Sequence, residues 1–185
     1  MKVIFILVFF FFSFLAFAHE GHEVKKATSE NIQEKGQETP QEGGSRRWTQ
    51  SIGSFHLILL HFPIALINML AVSESLLAWY KKPIFEYASR FLIISAAILS
   101  TPTALLGLIY SYSASYEGLM ETFLLWHMWF GISTAALAIG VAFIRECIGP
   151  NSLYYFCMVL LVLMVNITGF FGGEMTFGPF NMYPA

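Results

Sequence analysis

The chain has 185 residues, of which 56% are hydrophobic and only 12% are charged, and its net charge at pH 7 is −2. Soluble domains carry about a quarter of their residues as Asp, Glu, Lys and Arg, so this composition favours a membrane protein. No basic stripe with interleaved aromatic side chains occurs, which argues against a nucleic-acid partner. The sequence also lacks a phosphate-binding loop and an H-E-x-x-H motif, so whether the protein is an enzyme stays open.

Two polar or processed segments precede the apolar part of the chain. Residues 1–18 have the form of a secretory signal peptide, because Lys2 precedes an apolar core and residues 16–18 (AFA) form a small-x-small cleavage site. An uncleaved anchor helix is the alternative. Residues 19–52 begin HEGHE and are rich in Glu, Lys, Gln, Ser and Gly. Such a composition buries too little apolar area to fold, so we expect a disordered extracytoplasmic tether.

Four apolar segments follow, and each is long enough to cross a hydrocarbon core about 30 Å thick. Aromatic residues stand near their ends, as they do at membrane–water interfaces. The sequence therefore predicts an all-α membrane protein, a four-transmembrane-helix bundle that follows a cleaved signal peptide and a disordered tether. The predicted spans cover residues 55–80, 91–112, 121–144 and 153–171; the transmembrane domain covers 53–179, and 180–185 form an extracytoplasmic tail.

The distribution of Lys and Arg predicts the orientation. Lys81, Lys82 and Arg90 follow the first span and Arg145 follows the third, whereas the loop between the second and third spans contains neither residue type. The positive-inside rule therefore places the two basic loops in the cytoplasm. A pair of arginines before the first span opposes this assignment, and the signal peptide supports it. We predict a multi-pass protein of the bacterial cytoplasmic (inner) membrane with both mature termini extracytoplasmic.

Histidines at matched depth are the main functional signal. Each span carries small or polar residues at helical spacing, and we expect these stripes to face the bundle axis, because polar side chains avoid lipid. His127 lies on the stripe of the third span, and its depth matches that of His61, roughly 10 Å below the outer interface at about 1.5 Å per residue. The stripe of the first span consists of His61, Ala65, Asn68, Val72 and Ser75.

The two histidines predict a bound cofactor, with haem b as the first candidate. Neutral imidazole is a good ligand for haem iron, copper or zinc, and ionisable residues inside a membrane usually have a function. His61 and His127 would be the ligands, and Gly131, one turn below His127, would leave room for a flat macrocycle. No CxxCH motif occurs, so covalent c-type haem is excluded. The alternative is that both histidines are hydrogen-bonded packing residues.

Further candidate metal ligands lie at the outer end. His56 points about 140° away from His61 around the helix, so we expect an interfacial residue or a proton donor. Glu174 follows the fourth span together with Met175 and Met182. Thioether sulfur suits Cu(I), so a copper site with His56 and Glu174 as additional ligands is the second candidate. Glu74 shares the face of His56 near the other membrane side, where we expect it to pair with one of the lysines that follow.

Four segments of the chain carry a family resemblance: HLILLHFPIAL near the start of the first span, LLGLIYS late in the second, LLWHMWFG opening the third and GFFGGEMTFG closing the fourth. In order and spacing they resemble a bacterial membrane family known as domain of unknown function 2231. The resemblance extends over residues 56–179. It implies a four-helix membrane architecture, and relatives joined to cytochrome or iron–sulfur domains imply a redox setting.

Three functions remain open from the sequence. The first is a small b-type haem or electron-transfer subunit with a bis-histidine site near the outer face. The second is a copper- or metal-handling membrane protein. The third is a non-catalytic subunit that packs against redox partner subunits within a larger complex in the lipid bilayer.

Overall fold

A computed structural model describes residues 48–112 and 116–178, and the regular structure of these residues is helical. Four helices are long and apolar enough to cross a membrane: Trp48–Tyr80, Pro83–Ser111, Leu119–Cys147 and Ser152–Phe177. The predicted four-helix membrane architecture is therefore confirmed. The predicted signal peptide at 1–18, residues 19–47 of the predicted tether, and the tail at 180–185 lie outside the described residues.

The helix bounds follow from local signals. The first span has turns at Ser54 and Leu60 and contains α1 (Phe55–Leu59) and α2 (His61–Tyr80); α3 is Pro83–Ser111, α4 is Leu119–Cys147 and α5 is Ser152–Phe177. Proline at the start of α3 suits a first helical turn, where its missing N–H costs nothing. The Asn151 side chain caps α5 by accepting the Tyr154 N–H at 2.9 Å. Residues 48–52, assigned above to the tether, are helical.

Each span packs against the next one along the chain, and the first span also contacts the fourth. In the described part of the chain, the first and third spans therefore lie at opposite corners of the bundle. A buried apolar core fills the middle, with Ile67 and Leu70 of the first span packed among Ile93, Val141 and Leu161 of the others. Many large apolar side chains are exposed on the outside, and a hydrocarbon phase is the solvent that accepts such a surface.

The first two spans form a helical hairpin, and the last two form another with the same buried pattern. Four of the five buried positions of α2 recur 71 positions later in the third span: Pro63, Ile67, Leu70 and Glu74 correspond to Thr134, Ala138, Val141 and Arg145. The second and fourth spans match with an offset of 65: Ser89, Ile93, Ala96 and Ser100 correspond to Tyr154, Met158, Leu161 and Val165. The bundle is thus a pair of parallel repeats, related by a pseudo-twofold axis along the bundle.

Polar groups gather at the two ends of this axis. We call the end that contains His56 and His127 the histidine end, and the end that contains Glu74 and Arg145 the arginine end. In both the first and the third span, eighteen residues separate the two polar positions, which is about 27 Å of helix. The sequence predicts that the histidine end lies on the extracytoplasmic side of the membrane, and this orientation stays a prediction.

Candidate functional site

The histidine end brings together His56 and His127. Their ring centroids are 6.1 Å apart and their ring planes are nearly perpendicular, at 82°. Both residues are half-buried, whereas His61 is exposed. The structure therefore pairs His127 with His56, and it leaves His61 away from the bundle axis.

The buried face of the first span explains this arrangement. Pro63, Ile67 and Glu74 are buried, and they follow His56 at spacings of seven, eleven and eighteen residues, which keep all four on one face of a helix. The polar stripe predicted above lies about 120° from this face. At Asn68 that stripe meets the fourth span, because the Asn166 amide donates to Asn68 Oδ1 at 3.2 Å.

His56 is held by a short segment of the second span. Its Nδ1 lies 2.8 Å from the Thr103 carbonyl oxygen, and because a carbonyl can only accept, Nδ1 must carry the proton. The imidazole also lies against Gly107, where a Cβ atom would stand only 2.9 Å from His56 Cε1. Only glycine leaves space for the ring at that position.

The fourth span holds His127 in the same way. Its Nδ1 lies 2.9 Å from the Thr168 carbonyl oxygen, and a Cβ atom on Gly172 would stand 3.1 Å from His127 Cε1. The threonine hydroxyls also match, since Thr168 donates to the Met164 carbonyl at 2.8 Å and Thr103 donates to the carbonyl four residues before it at 2.7 Å. We call the two T-x-x-x-G segments, 103–107 and 168–172, the imidazole cradles.

This geometry leaves the ligand nitrogens available. A neutral imidazole with its proton on Nδ1 has a lone pair on Nε2, and neither Nε2 has a hydrogen bond to the described residues. Two imidazoles that bind one metal ion at 2.0–2.1 Å each have ring centroids about 6 Å apart when the ion lies between them. The observed centroid separation of 6.1 Å matches that distance.

The family comparison covers all of these residues. A family model described as "Predicted membrane protein (DUF2231)" matches residues 53–179, which is more than half of the chain. The chain belongs to this family. No curated protein and no solved structure matched. The family assignment confirms the predicted resemblance and the membrane character, and its description names no activity.

In this DUF2231 bundle, the surroundings of two other predicted site residues, Gly131 and Glu174, differ from what we expected. A Cβ atom on Gly131 would meet the Thr168 methyl at 3.7 Å, so a threonine side chain lies where we expected room for a macrocycle. Glu174 is buried in α5 with 1% exposure. In residues 48–112 and 116–178, no group of three or more His, Cys, Asp or Glu side chains could hold a metal, so Glu174 does not complete a three-ligand site with the two histidines.

Aromatic rings of the third span pack against the second imidazole cradle. Phe171, which precedes Gly172, stacks on Trp126 and Phe130 at centroid distances of 6.4 and 5.9 Å. It also contacts Phe123 at 5.8 Å. These contacts join the third and fourth spans of the DUF2231 bundle on both sides of His127 in the sequence, so the spans that hold this ring are tightly connected.

The arginine end contains an ionic cluster that the sequence analysis assigned differently. Glu74 Oε1 accepts hydrogen bonds from Arg145 Nη1 at 3.1 Å and from the Tyr154 hydroxyl at 2.7 Å. The side chains of Arg145 and Glu74 are only 4% and 3% exposed, and the guanidinium carbon lies 5.1 Å from the Tyr154 ring centroid. Glu74 therefore pairs with Arg145 rather than with Lys81 or Lys82, and Arg145 belongs to the third helix rather than to a loop.

Proposed function

We propose that this protein is a small electron-transfer subunit of the membrane, with a redox centre held between His56 and His127. One observation carries the proposal: two imidazoles lie with their ring centroids 6.1 Å apart, and each gives its Nδ1 hydrogen to a backbone carbonyl. Histidines that bind metals commonly donate their other ring N–H in this way, which fixes the tautomer and raises the basicity of the ligand nitrogen.

The number of protein ligands favours haem b as the group that is bound, on the condition that the Thr168 methyl beside Gly131 moves to admit the macrocycle. Protein sites for zinc use three or four side chains, and the described residues supply only the two imidazoles. Haem iron receives four nitrogens from its own macrocycle and needs only two axial ligands from the protein. A bis-histidine pair on two transmembrane helices meets that need, and axial ligation by histidine leaves iron suited to one-electron transfer.

Copper is the alternative centre for the same two ligands. Cu(I) accepts low coordination numbers and binds imidazole, and a bare ion requires no wider gap than the observed ring separation of 6.1 Å. The chemistry shared by the two candidates is a redox metal bound by His56 Nε2 and His127 Nε2. The experiment below distinguishes them.

The test uses the full-length protein purified in detergent from cells that make haem. We expect a Soret band that shifts on addition of dithionite, or stoichiometric copper without such a band. His56→Ala and His127→Ala should each abolish or strongly shift the spectrum, because the loss of one axial ligand changes the iron coordination. His61→Ala is the matched control on the same span. Because His61 is exposed, the spectrum of this variant should equal that of the wild type.

Three results would contradict the proposal. The first is wild-type protein that carries neither haem nor copper, which would favour the non-catalytic subunit. The second is a chromophore that survives both His56→Ala and His127→Ala. The third is a chromophore lost on His61→Ala, because that result would return the site to the stripe predicted from the sequence.

A further inference from the structure

We infer that Gly107 and Gly172 are equivalent positioning residues, each of which opens one helix carbonyl to one imidazole and thereby sets its tautomer. The inference deepens the proposed function. Only the identity of the bound group rests on that proposal, whereas the histidine tautomers do not. A protein spanning a membrane usually has its helix carbonyls occupied by its own helix. An imidazole can approach one of them from the side only where the covering side chain is missing.

The position of the glycines explains how the carbonyls become accessible. Side chains of a helix lean toward its N-terminus, so the Cβ atom of a residue covers the carbonyl of the turn before it. Gly107 lies four residues after Thr103, and a Cβ there would stand 2.9 Å from His56 Cε1 and 3.0 Å from Nδ1. Real Cβ atoms do not approach a ring so closely, so a side chain at 107 would force the imidazole away from the Thr103 carbonyl.

The second cradle repeats this relation with its own histidine. Gly172 lies four residues after Thr168, and its Cβ atom would stand 3.1 Å from His127 Cε1 and 3.4 Å from Nδ1. Other helical glycines in the described part of the chain behave differently. Gly140 and Gly169 would place a Cβ atom in open space, with no neighbour within 4 Å.

The two hairpins make the cradles equivalent. The 71-residue offset that relates the buried faces of the first and third spans also relates His56 to His127. The 65-residue offset of the second and fourth spans relates Thr103 and Gly107 to Thr168 and Gly172. The ligand is therefore expected on the pseudo-twofold axis, bound once per chain, with one imidazole from each hairpin.

Histidine tautomers in the protein without added haem or metal test the inference directly. Nitrogen NMR of ¹⁵N-histidine-labelled protein in micelles distinguishes a protonated Nδ1 from a protonated Nε2, and His56→Ala and His127→Ala assign the signals. We expect both rings of the wild type to have the proton on Nδ1. Gly107→Ala should convert only the His56 signal to a mixture of tautomers, and Gly172→Ala only the His127 signal. Gly140→Ala, outside both cradles, is the matched control and should leave both signals unchanged.

The wild-type spectrum alone can overturn the inference, so it does not depend on whether a variant folds. Protons on Nε2 in both rings of the wild type would be such a result. Unchanged tautomers in both cradle variants, Gly107→Ala and Gly172→Ala, would also contradict the inference. Correct tautomers in a protein that binds neither haem nor copper would leave the cradles standing and remove the proposed redox function. Failure of the two ideas is thus separable.

Discussion

Loss of Arg145 should be among the most destabilising single changes in the bundle. Glu74 and Arg145 have side chains only 3% and 4% exposed, and they connect the first span to the third. Arg145→Met would leave the Glu74 carboxylate with only the Tyr154 hydroxyl as a hydrogen-bond donor. Removing one partner of a buried ion pair costs about 3–5 kcal/mol, because the remaining charge stays buried without compensation.

The same reasoning predicts recovery when both charges are removed. Glu74→Met combined with Arg145→Met replaces two charges by apolar groups of similar length, a change that is often neutral or stabilising. Tyr154 then keeps a hydroxyl without its acceptor, so we expect the double variant to lie within about 2 kcal/mol of the wild type. For a protein of this size, the single variant should unfold roughly 6–20 °C lower than the wild type.

Thermal unfolding in detergent, followed by circular dichroism, measures this difference. Arg90→Met is the matched control, because Arg90 also pairs with a glutamate, Glu146, but its side chain is 59% exposed. Exposed ion pairs contribute only about 0.2–1 kcal/mol, so this variant should unfold near the wild-type temperature. The reasoning fails if Arg145→Met is no worse than the Arg90 control, or if the double variant is as unstable as Arg145→Met.

Two further predictions concern the parts of the chain beyond the bundle. Alkaline phosphatase fused after Ala185 should be active, because the basic loops predict an extracytoplasmic C-terminus; an inactive enzyme at that point, with an active cytoplasmic reporter, would reverse the orientation. Deleting residues 19–45 should leave the unfolding temperature in detergent nearly unchanged, since this segment has few apolar side chains to bury; a large decrease would show that it packs on the bundle.

The number of membrane helices could be predicted from the sequence by length and apolarity, whereas these two criteria do not give the ends of the helices. Length and apolarity identify a span because the hydrocarbon core sets the minimum. Nothing in that criterion requires a helix to stop at the membrane surface, and α3 begins at Pro83 instead of residue 91. A proline in the first turn and the acidic Glu86 in the same turn both favour a helix start, so these signals were present before the apolar run.

Of the two histidines that meet at the histidine end, only His127 was expected on the bundle axis from the sequence. His127 shares a helix face with Thr134 and Ala138, which are buried, so its stripe was assigned correctly. His56 was expected only as an interfacial residue, a proton donor or an additional metal ligand, because we expected the most polar face of the first span to line the axis. That face meets the fourth span instead, and the axis is lined by apolar residues that end at Glu74.

The repeat would have resolved this choice. If the first and third spans are related by the repeat, their axis-facing polar residues lie at the same depths along the bundle. In both helices these residues are eighteen positions apart. His61 has no polar counterpart 71 residues later in the third span. His56 and Glu74 do, because they correspond to His127 and Arg145. At the offset of 71 residues that the structure reveals, His56 is the histidine of the first span that corresponds to His127.

The two polar ends of the bundle axis differ in whether their side chains from the first and third spans can neutralise each other. At the arginine end, opposite charges on the first and third spans neutralise each other, and a tyrosine of the fourth span binds the same carboxylate oxygen. That cluster fixes the relative position of two helices that lie at opposite corners of the bundle. At the histidine end, the same two helices present identical side chains that cannot neutralise each other, and both give their Nδ1 hydrogen to backbone carbonyls. Two identical electron-pair donors gain little from direct contact with each other and much from a shared Lewis acid, and for that reason we propose the ligand site at the histidine end.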